Sequence, residues 1–479
     1  MSEKALNEHH YGVFGKSTKR GWVLVATAVA AAFAVYWLLP YKDSTPNGVI
    51  INKGMALLTF VAVLWLTEAV HITVTALLVP VLAMLIGMPM KDPKTGEMVA
   101  MSMEKAMSGF SDPIIFLFFG GFALATALHI QKIDQKIATW LVGLAGGHMG
   151  RAVVMLCVVT ALLSMWISNT ATAAMMLPLA LGVFSSLDPE KDRPTFVFVL
   201  LGIAYSASIG GLGTVVGSPP NGIAARALKL DFYSWMKIGL PMMLCIFPLM
   251  LIVLYWTLKP KLNRKVELSL EPIPWNPTRV ATMALFVATA LCWMFSKKIG
   301  LALGVKSPDS WIALVAAASI VILGLATWKE IAVNTDWGVL LLFGGGLTLS
   351  AILSDSQVFK YVGQDVAGLI GSAPPIVIIA VLAVFIILLT EFTSNTASAA
   401  LLVPVFAQIA PALRMPPEAL VLLIGIGSSC AFMLPVATPP NAVVFGTGLI
   451  KQSEMMKAGV GLGLMCVALL VAMGMILLA

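Results

Sequence analysis

Two four-residue spacings carry the polar chemistry of this sequence. Ser164 stands four residues before Ser168 and Thr390 four before Ser394, and each pair runs into an amide, as Ser168-Asn169-Thr170 and Ser394-Asn395-Thr396. Residues four apart share a helix face, so hydroxyl and amide oxygens gather at one helix end in each copy. A second motif also occurs twice, Ser218-Pro219-Pro220-Asn221 and Thr438-Pro439-Pro440-Asn441, in the middle of apolar runs. Each Pro-Pro removes the amide donors that a continuous helix would offer to the carbonyls of Val215, Val216, Pro435 and Val436. In a membrane, free carbonyls are tolerated only where they line a cavity or bind something. Side-chain oxygens facing such carbonyls are hard, neutral ligands that suit an alkali cation. Neither tip holds His or Cys, which argues against zinc or a redox metal. The tips also present N–H groups, and half-helices starting after Ser218 and Thr438 point positive dipole ends inward, which attracts anions without Lys or Arg. Two such sockets fit a substrate with two carboxylates.

The elements that hold these residues follow from composition. The chain has 479 residues, 59% hydrophobic and 11% charged, with mean hydropathy +0.94, whereas about a quarter of residues in soluble proteins carry charge. A spanning helix needs roughly 20 apolar residues, which predicts an all-α polytopic membrane protein of about eleven transmembrane helices. A nucleic-acid binder and a soluble enzyme are excluded, and no HExxH, GxSxG or nucleophile–base pair sits in the apolar runs to support an intramembrane enzyme. The net charge of +7 reads as topology, with a modest basic excess placing the N-terminus in the cytoplasm. The five cysteines lie singly in apolar stretches and read as packing residues. Trp22 to Leu39 reads as a retained first helix.

The motifs recur at nearly one offset. Asp112 with Phe119-Gly120-Gly121 matches Asp336 with Phe343-Gly344-Gly345 at 224, the Ser-Asn-Thr motifs repeat at 226, and the Pro-Pro-Asn motifs at 220. The chain is therefore read as two copies of one unit, inverted in the membrane if 152–186 and 375–411 are re-entrant hairpins. The expected division is a cytoplasmic N-tail at 1–20; a scaffold part of repeat 1 at 21–150, with an extra first helix; its transport part at 151–258; a cytoplasmic linker at 259–278; and in repeat 2 a scaffold part at 279–373 and a transport part at 374–479. After each Phe-Gly-Gly span a half-polar helix is expected in the interface plane. Ile133, Ile137, Trp140, Leu141 and Leu144 form the apolar side of the first, and Val358, Phe359, Val362, Val366 and Leu369 that of the second.

The paired motifs, over about residues 20 to 479, make the chain resemble the divalent-anion/sodium symporter family, in particular the bacterial INDY-like dicarboxylate carriers. The resemblance implies one sodium site from Ser164, Ser168, Asn169 and the Gly217 carbonyl, and another from Thr390, Ser394, Asn395 and the Ala437 carbonyl. It implies substrate contacts at Asn169, Thr170, Ser218, Asn395, Thr396 and Thr438, a homodimer in the lipid bilayer, and an elevator motion of hairpins and broken helices. The function expected is sodium-coupled import of C4 dicarboxylates such as succinate, malate and fumarate, with no organic cofactor. The rivals are a sodium-independent exchanger, a carrier of citrate or sulfate, and an anion channel, which would need a continuous polar pore.

Two acids stand apart. Glu391 lies inside an apolar run with Met165 at the matching position of the first copy, which favours a structural hydrogen bond over a proton-carrying role; Glu68, near a run end, reads as an interfacial anchor. Gly210, Gly211, Gly213 and Gly217 are expected to loosen the first break, and the glycine-free stretch Cys430 to Ala437 to stiffen the second.

Overall fold

The computed structural model describes residues 18–41, 48–91, 95, 97–183, 191–264, 273–370 and 373–478. The expected N-tail lies outside these but for its last three residues, as do 265–272 of the expected linker. The described residues are almost wholly helical, with a single two-stranded ribbon, Pro89–Lys91 with Met98–Ala100.

In the first half the helices are α1 (Thr18–Leu38), α2 (Gly48–Thr67), α3 (Ile72–Leu85), α4 (Pro113–Ile130), α5 (Ile133–Gly143), α6 (Met149–Ser164), α7 (Asn169–Val183), α8 (Arg193–Gly210), α9 (Pro219–Ala227) and α10 (Phe232–Leu258). The second half has α11 (Pro277–Met294), α12 (Ser296–Leu303), α13 (Pro308–Ile322), α14 (Trp328–Asn334), α15 (Trp337–Asp355), α16 (Val358–Ile370), α17 (Pro375–Phe392), α18 (Asn395–Ile409), α19 (Pro417–Gly427), α20 (Pro439–Phe445) and α21 (Gln452–Leu478). Among the described residues nine helices are long and apolar enough to cross a membrane, or ten if α12 and α13, bent by 91° at their junction, form one span. The arms α6, α7 and α18 are shorter, while α17, with 18 residues, is long enough to cross by length alone.

By contacts the chain divides into two units. One holds Met1–Asp112, Trp337–Pro374 and Thr396–Leu420; the other holds Pro113–Asp336, Pro375–Asn395 and Val421–Ala479. In the first unit α1 packs on α2 and α15 on α3. A Cβ on Gly345 would come within 2.6 Å of Ala76, so the second Phe-Gly-Gly is a close-approach surface for α3. In the second unit the first Phe-Gly-Gly plays the same part, with a Cβ on Gly120 falling 2.5 Å from Ala313 of α13. Each repeated motif thus seats its helix on a helix from the other half of the chain.

The core of the second unit is α8, in which every residue from Thr195 to Gly210 is buried. Around it pack α6, α7, α10 and α20. The two interrupted helices interlock: α20 lies on α8, and Ala224 of α9 touches Gly425 of α19, where an added Cβ would fall 2.6 Å from the alanine Cβ.

The expected half-polar helices are present as α5 and α16. On α5, Trp140 and Leu144 face outward, and Asp134, only 1% exposed, is turned inward against His129 at 2.8 Å. A charge at that position was not foreseen, because hydrophobic periodicity alone assigns it to the polar face.

Candidate cation and anion site

Apart from Thr396, which opens a stretch of the first unit, and Glu68, the residues described next belong to the second unit. The chain leaves α6 at Ser164, turns over 165–168 and enters α7 at Asn169. Ser164 Oγ lies 2.7 Å from Asn169 Oδ1 and 2.7 Å from the carbonyl of Ala207 on α8. One hydroxyl hydrogen serves one of these acceptors, which leaves the other facing oxygen lone pairs. The same amide atom of Asn169 is 3.1 Å from Ala207 O and 3.3 Å from Gly217 O. With its nitrogen turned to this point, Asn169 shares its two hydrogens among the three oxygens and closes the cage without an ion. With its oxygen there, four oxygens face one another, an arrangement that a cation satisfies.

The second copy repeats this geometry with different atoms. Thr390 Oγ1 lies 2.6 Å from Asn395 Oδ1 and 2.8 Å from the Ser428 carbonyl. The hydroxyl–amide pair and one carbonyl from the interrupted helix therefore recur, and Ala207 and Ser428 complete the cages. Both are backbone acceptors, which carry no signal in residue type and were missed for that reason.

The remaining expected residues divide. Ser168 is exposed, and its Oγ accepts from Ala171 N at 3.3 Å as a cap on α7. Thr170 is exposed beside it, while Ser394 and Thr396 flank Asn395 and are half-buried. Ser218 and Thr438 are the N-caps of α9 and α20, each 3% exposed. Thr438 accepts from Asn441 N, whereas Ser218 makes no side-chain capping bond. Ala437 is buried, with its N–H donating to Leu434 O at 3.2 Å.

Of the four asparagines in apolar surroundings, two are not in the cages. Asn221 Nδ2 donates to the carbonyls of Gly211 and Thr214 at 2.7 Å each. Asn441 Nδ2 donates to those of Ala431 and Leu434 at 3.3 and 3.0 Å. These carbonyls sit 220 residues apart pair by pair, so each Pro-Pro-Asn motif carries its own staple for the break before it.

Glu391 fills the structural role expected of it. It is 1% exposed, and its Oε1 accepts the N–H groups of Phe432 and Met433 at 2.6 and 2.9 Å while Oε2 accepts that of Leu434 at 2.9 Å. In the first copy the corresponding stretch forms a 3-10 turn, Gly211–Gly213, and Thr214 Oγ1 bonds the carbonyl of Met165 instead. Glu68 lies in left-handed backbone, φ 48°, just beyond α2 and exposed, as befits a run end.

The glycines of the first break supply room for close backbone approach. A Cβ on Gly210 would fall 2.3 Å from Ala161 O, on Gly211 2.6 Å from Asn169 Oδ1, and on Gly217 2.5 Å from Gly211 O. The φ of Gly217 is not in the left-handed region, so close backbone approach is what requires glycine there.

Interrupted helices whose polar breaks face paired hydroxyls and amides, in a chain of membrane-length apolar helices, are the arrangement of a membrane transport protein. The family described as sodium:sulfate symporter transmembrane region matches residues 18–478, and the chain belongs to it. It is 53% identical over 467 residues to an uncharacterized transporter of Haemophilus influenzae, covering 96% of this chain and 97% of that one. It is 29% identical over 465 residues to the sodium-dependent dicarboxylate transporter SdcS of Staphylococcus saprophyticus, covering 88% and 85%. Among solved structures, the fold is similar to the Alcanivorax borkumensis YdaH transporter, with TM-score 0.54 and 15% identity over 84% of this chain and 98% of that one. It is also similar to MtrF of Neisseria gonorrhoeae, with TM-score 0.53 and 14% identity over 86% and 96%.

Proposed function

We propose that the chain is a sodium-coupled symporter that imports C4 dicarboxylates such as succinate, malate and fumarate across a bacterial inner membrane. The observation that carries this reading is the pair of oxygen cages, Ser164–Asn169 with the carbonyls of Ala207 and Gly217, and Thr390–Asn395 with that of Ser428. With the amide oxygen of each asparagine turned inward, each holds more acceptors than hydroxyl hydrogens in a site without a charged side chain of its own, which favours a small hard cation. The sodium dependence in the name of the SdcS relative supports the same ion.

Cations in both cages place positive charge beside Asn169, Thr170, Ser218, Asn395 and Thr438, whose N–H and O–H groups then take the substrate carboxylates. Sodium entry and anion entry are coupled because the same two amides face both ligands. In this reading Ser168, Ser394 and Ala437 join the cation shells on binding, the two halves are inverted repeats, the N-terminus is cytoplasmic, and the hairpins and broken helices of a homodimer move as elevators against the scaffold parts.

A second reading keeps the cages and changes the anion. The family description names sulfate, a compact dianion that neutral donors also suit. Radiolabelled succinate uptake into proteoliposomes decides: an inward sodium gradient should drive accumulation, choline replacement should abolish it, and unlabelled sulfate or citrate should not compete. Accumulation unaffected by choline replacement would leave a sodium-independent exchanger.

A further inference from the structure

The two cages are joined by one buried residue outside both of them. Tyr205 lies on α8, fully buried, two residues before Ala207, whose carbonyl faces Ser164. Its hydroxyl donates to the carbonyl of Phe432 at 2.6 Å, and its ring meets that of Phe432 edge-on at 5.1 Å. Phe432 is itself 1% exposed and gives its N–H to Glu391, the residue next to Thr390. It also follows by four residues Ser428, whose carbonyl Thr390 contacts. Two short hydrogen bonds therefore run from the helix that walls the first cage to the hairpin end that walls the second.

We propose that Tyr205 is the positioning residue through which the two cages communicate, so that a cation in one favours a cation in the other. The proposal rests on the symport reading above. A cage that closes on an ion draws in its carbonyl. In the first cage that carbonyl belongs to α8, a rigid and wholly buried helix, so Ala207 does not move without Tyr205. Burial strengthens the Tyr205–Phe432 bond and makes its loss costly, because neither partner reaches water. The strained alternative, one cage closed and one open, is thereby disfavoured. By the 220-residue offset the matching position in the second copy is Gly425, which is pressed against Ala224 and has no room for a side chain. The repeat thus supplies no second tyrosine bridge at that position.

Coupling of this kind changes affinities by about 5- to 150-fold in typical systems. The test is the sodium dependence of succinate uptake in proteoliposomes, at saturating succinate, for the wild type, Tyr205→Phe and Glu391→Gln. Tyr205→Phe keeps the ring and removes only the hydroxyl. The expected result is a Hill coefficient for sodium that is above one in the wild type and lower in Tyr205→Phe, a change that a merely weakened fold would not produce. If Tyr205→Phe does not accumulate, Glu391→Gln, in which an amide nitrogen replaces one of the two accepting oxygens, weakens the same route at its other end and is read the same way. A wild type that depends on sodium with a Hill coefficient of one, or a variant that keeps the wild-type coefficient, overturns the bridge alone. A wild type indifferent to sodium overturns the symport reading and the bridge with it.

Discussion

Glu391 and Phe432 are joined across the second break, the Phe432 N–H donating to Glu391 Oε1 at 2.6 Å, in a chain that has Met165 at the matching place of the first copy. Two further N–H groups, of Met433 and Leu434, end on the same carboxylate. Removing it leaves buried donors without acceptors, at about 1–3 kcal/mol per group. Glu391→Ala should therefore lower the Tm of the purified protein in detergent more than Glu391→Gln, which keeps one accepting oxygen. Equal melting of the wild type and Glu391→Ala would remove the role assigned to this side chain.

Gly211 keeps the first cage open. A Cβ there would stand 2.6 Å from Asn169 Oδ1 and 3.0 Å from Gly217 O, inside the space that the oxygens enclose. Overpacking typically costs about 1–3 kcal/mol, so Gly211→Ala should raise the sodium concentration for half-maximal uptake by about 5- to 150-fold. Gly217→Ala should act in the same direction, since its Cβ meets the Gly211 carbonyl at 2.5 Å. A half-maximal sodium concentration that stays unchanged or falls in either variant would show that the cage has more room than these distances allow.

The two hydroxyls should be equivalent in kind. Ser164→Ala and Thr390→Val each remove one cage oxygen while keeping its partners in place. Each should raise the half-maximal sodium concentration about tenfold, the equivalent of about 1.4 kcal/mol. Asn169→Asp and Asn395→Asp should instead weaken succinate, because a carboxylate then faces a carboxylate. Sodium titrations of uptake and succinate saturation curves separate the two effects, and serine and threonine variants that behave as wild type in sodium would end the assignment of these cages.

A pH test applies outside the membrane segments. Asp231 caps α10 and lies 3.1 Å from Lys297. Burial pushes its carboxyl up, but hydrogen bonds from Ser234 and the charge of Lys297 outweigh that and hold it below the usual carboxylate range. A folded-state pKa below the unfolded value, about 3.9 for Asp, means stability that is fully present above that value and lost as pH falls through the folded pKa. Asp231→Asn should therefore lower the Tm at pH 7, and the gap from wild type should close as pH drops below about 4. A gap that stays constant over that range would place the effect in packing, not in charge.

Much of this protein was legible from residue types. Apolar runs of membrane length give an all-helical fold, because a backbone in lipid must satisfy its own hydrogen bonds. Paired Ser-Asn-Thr and Pro-Pro-Asn motifs at nearly one offset gave the internal repeat and the polar tips, but the contacts are Ser164 to Asn169 and Thr390 to Asn395, five residues on and across the turn, while Ser168, four residues after Ser164, is exposed. The tertiary structure decided what spacing does not encode. Ala207 and Ser428 enter the cages through carbonyls, which every residue possesses, so only three-dimensional position distinguishes them. Asn221 and Asn441 look like ligands in sequence and prove to be staples, because the two breaks fold back within reach of their amides. The glycines before the first break are also sites of close backbone contact, which residue type does not show and only the neighbour's distance does. Tyr205 gave no sign at all: one tyrosine in an apolar run becomes a bridge only when α8 is laid against the second break.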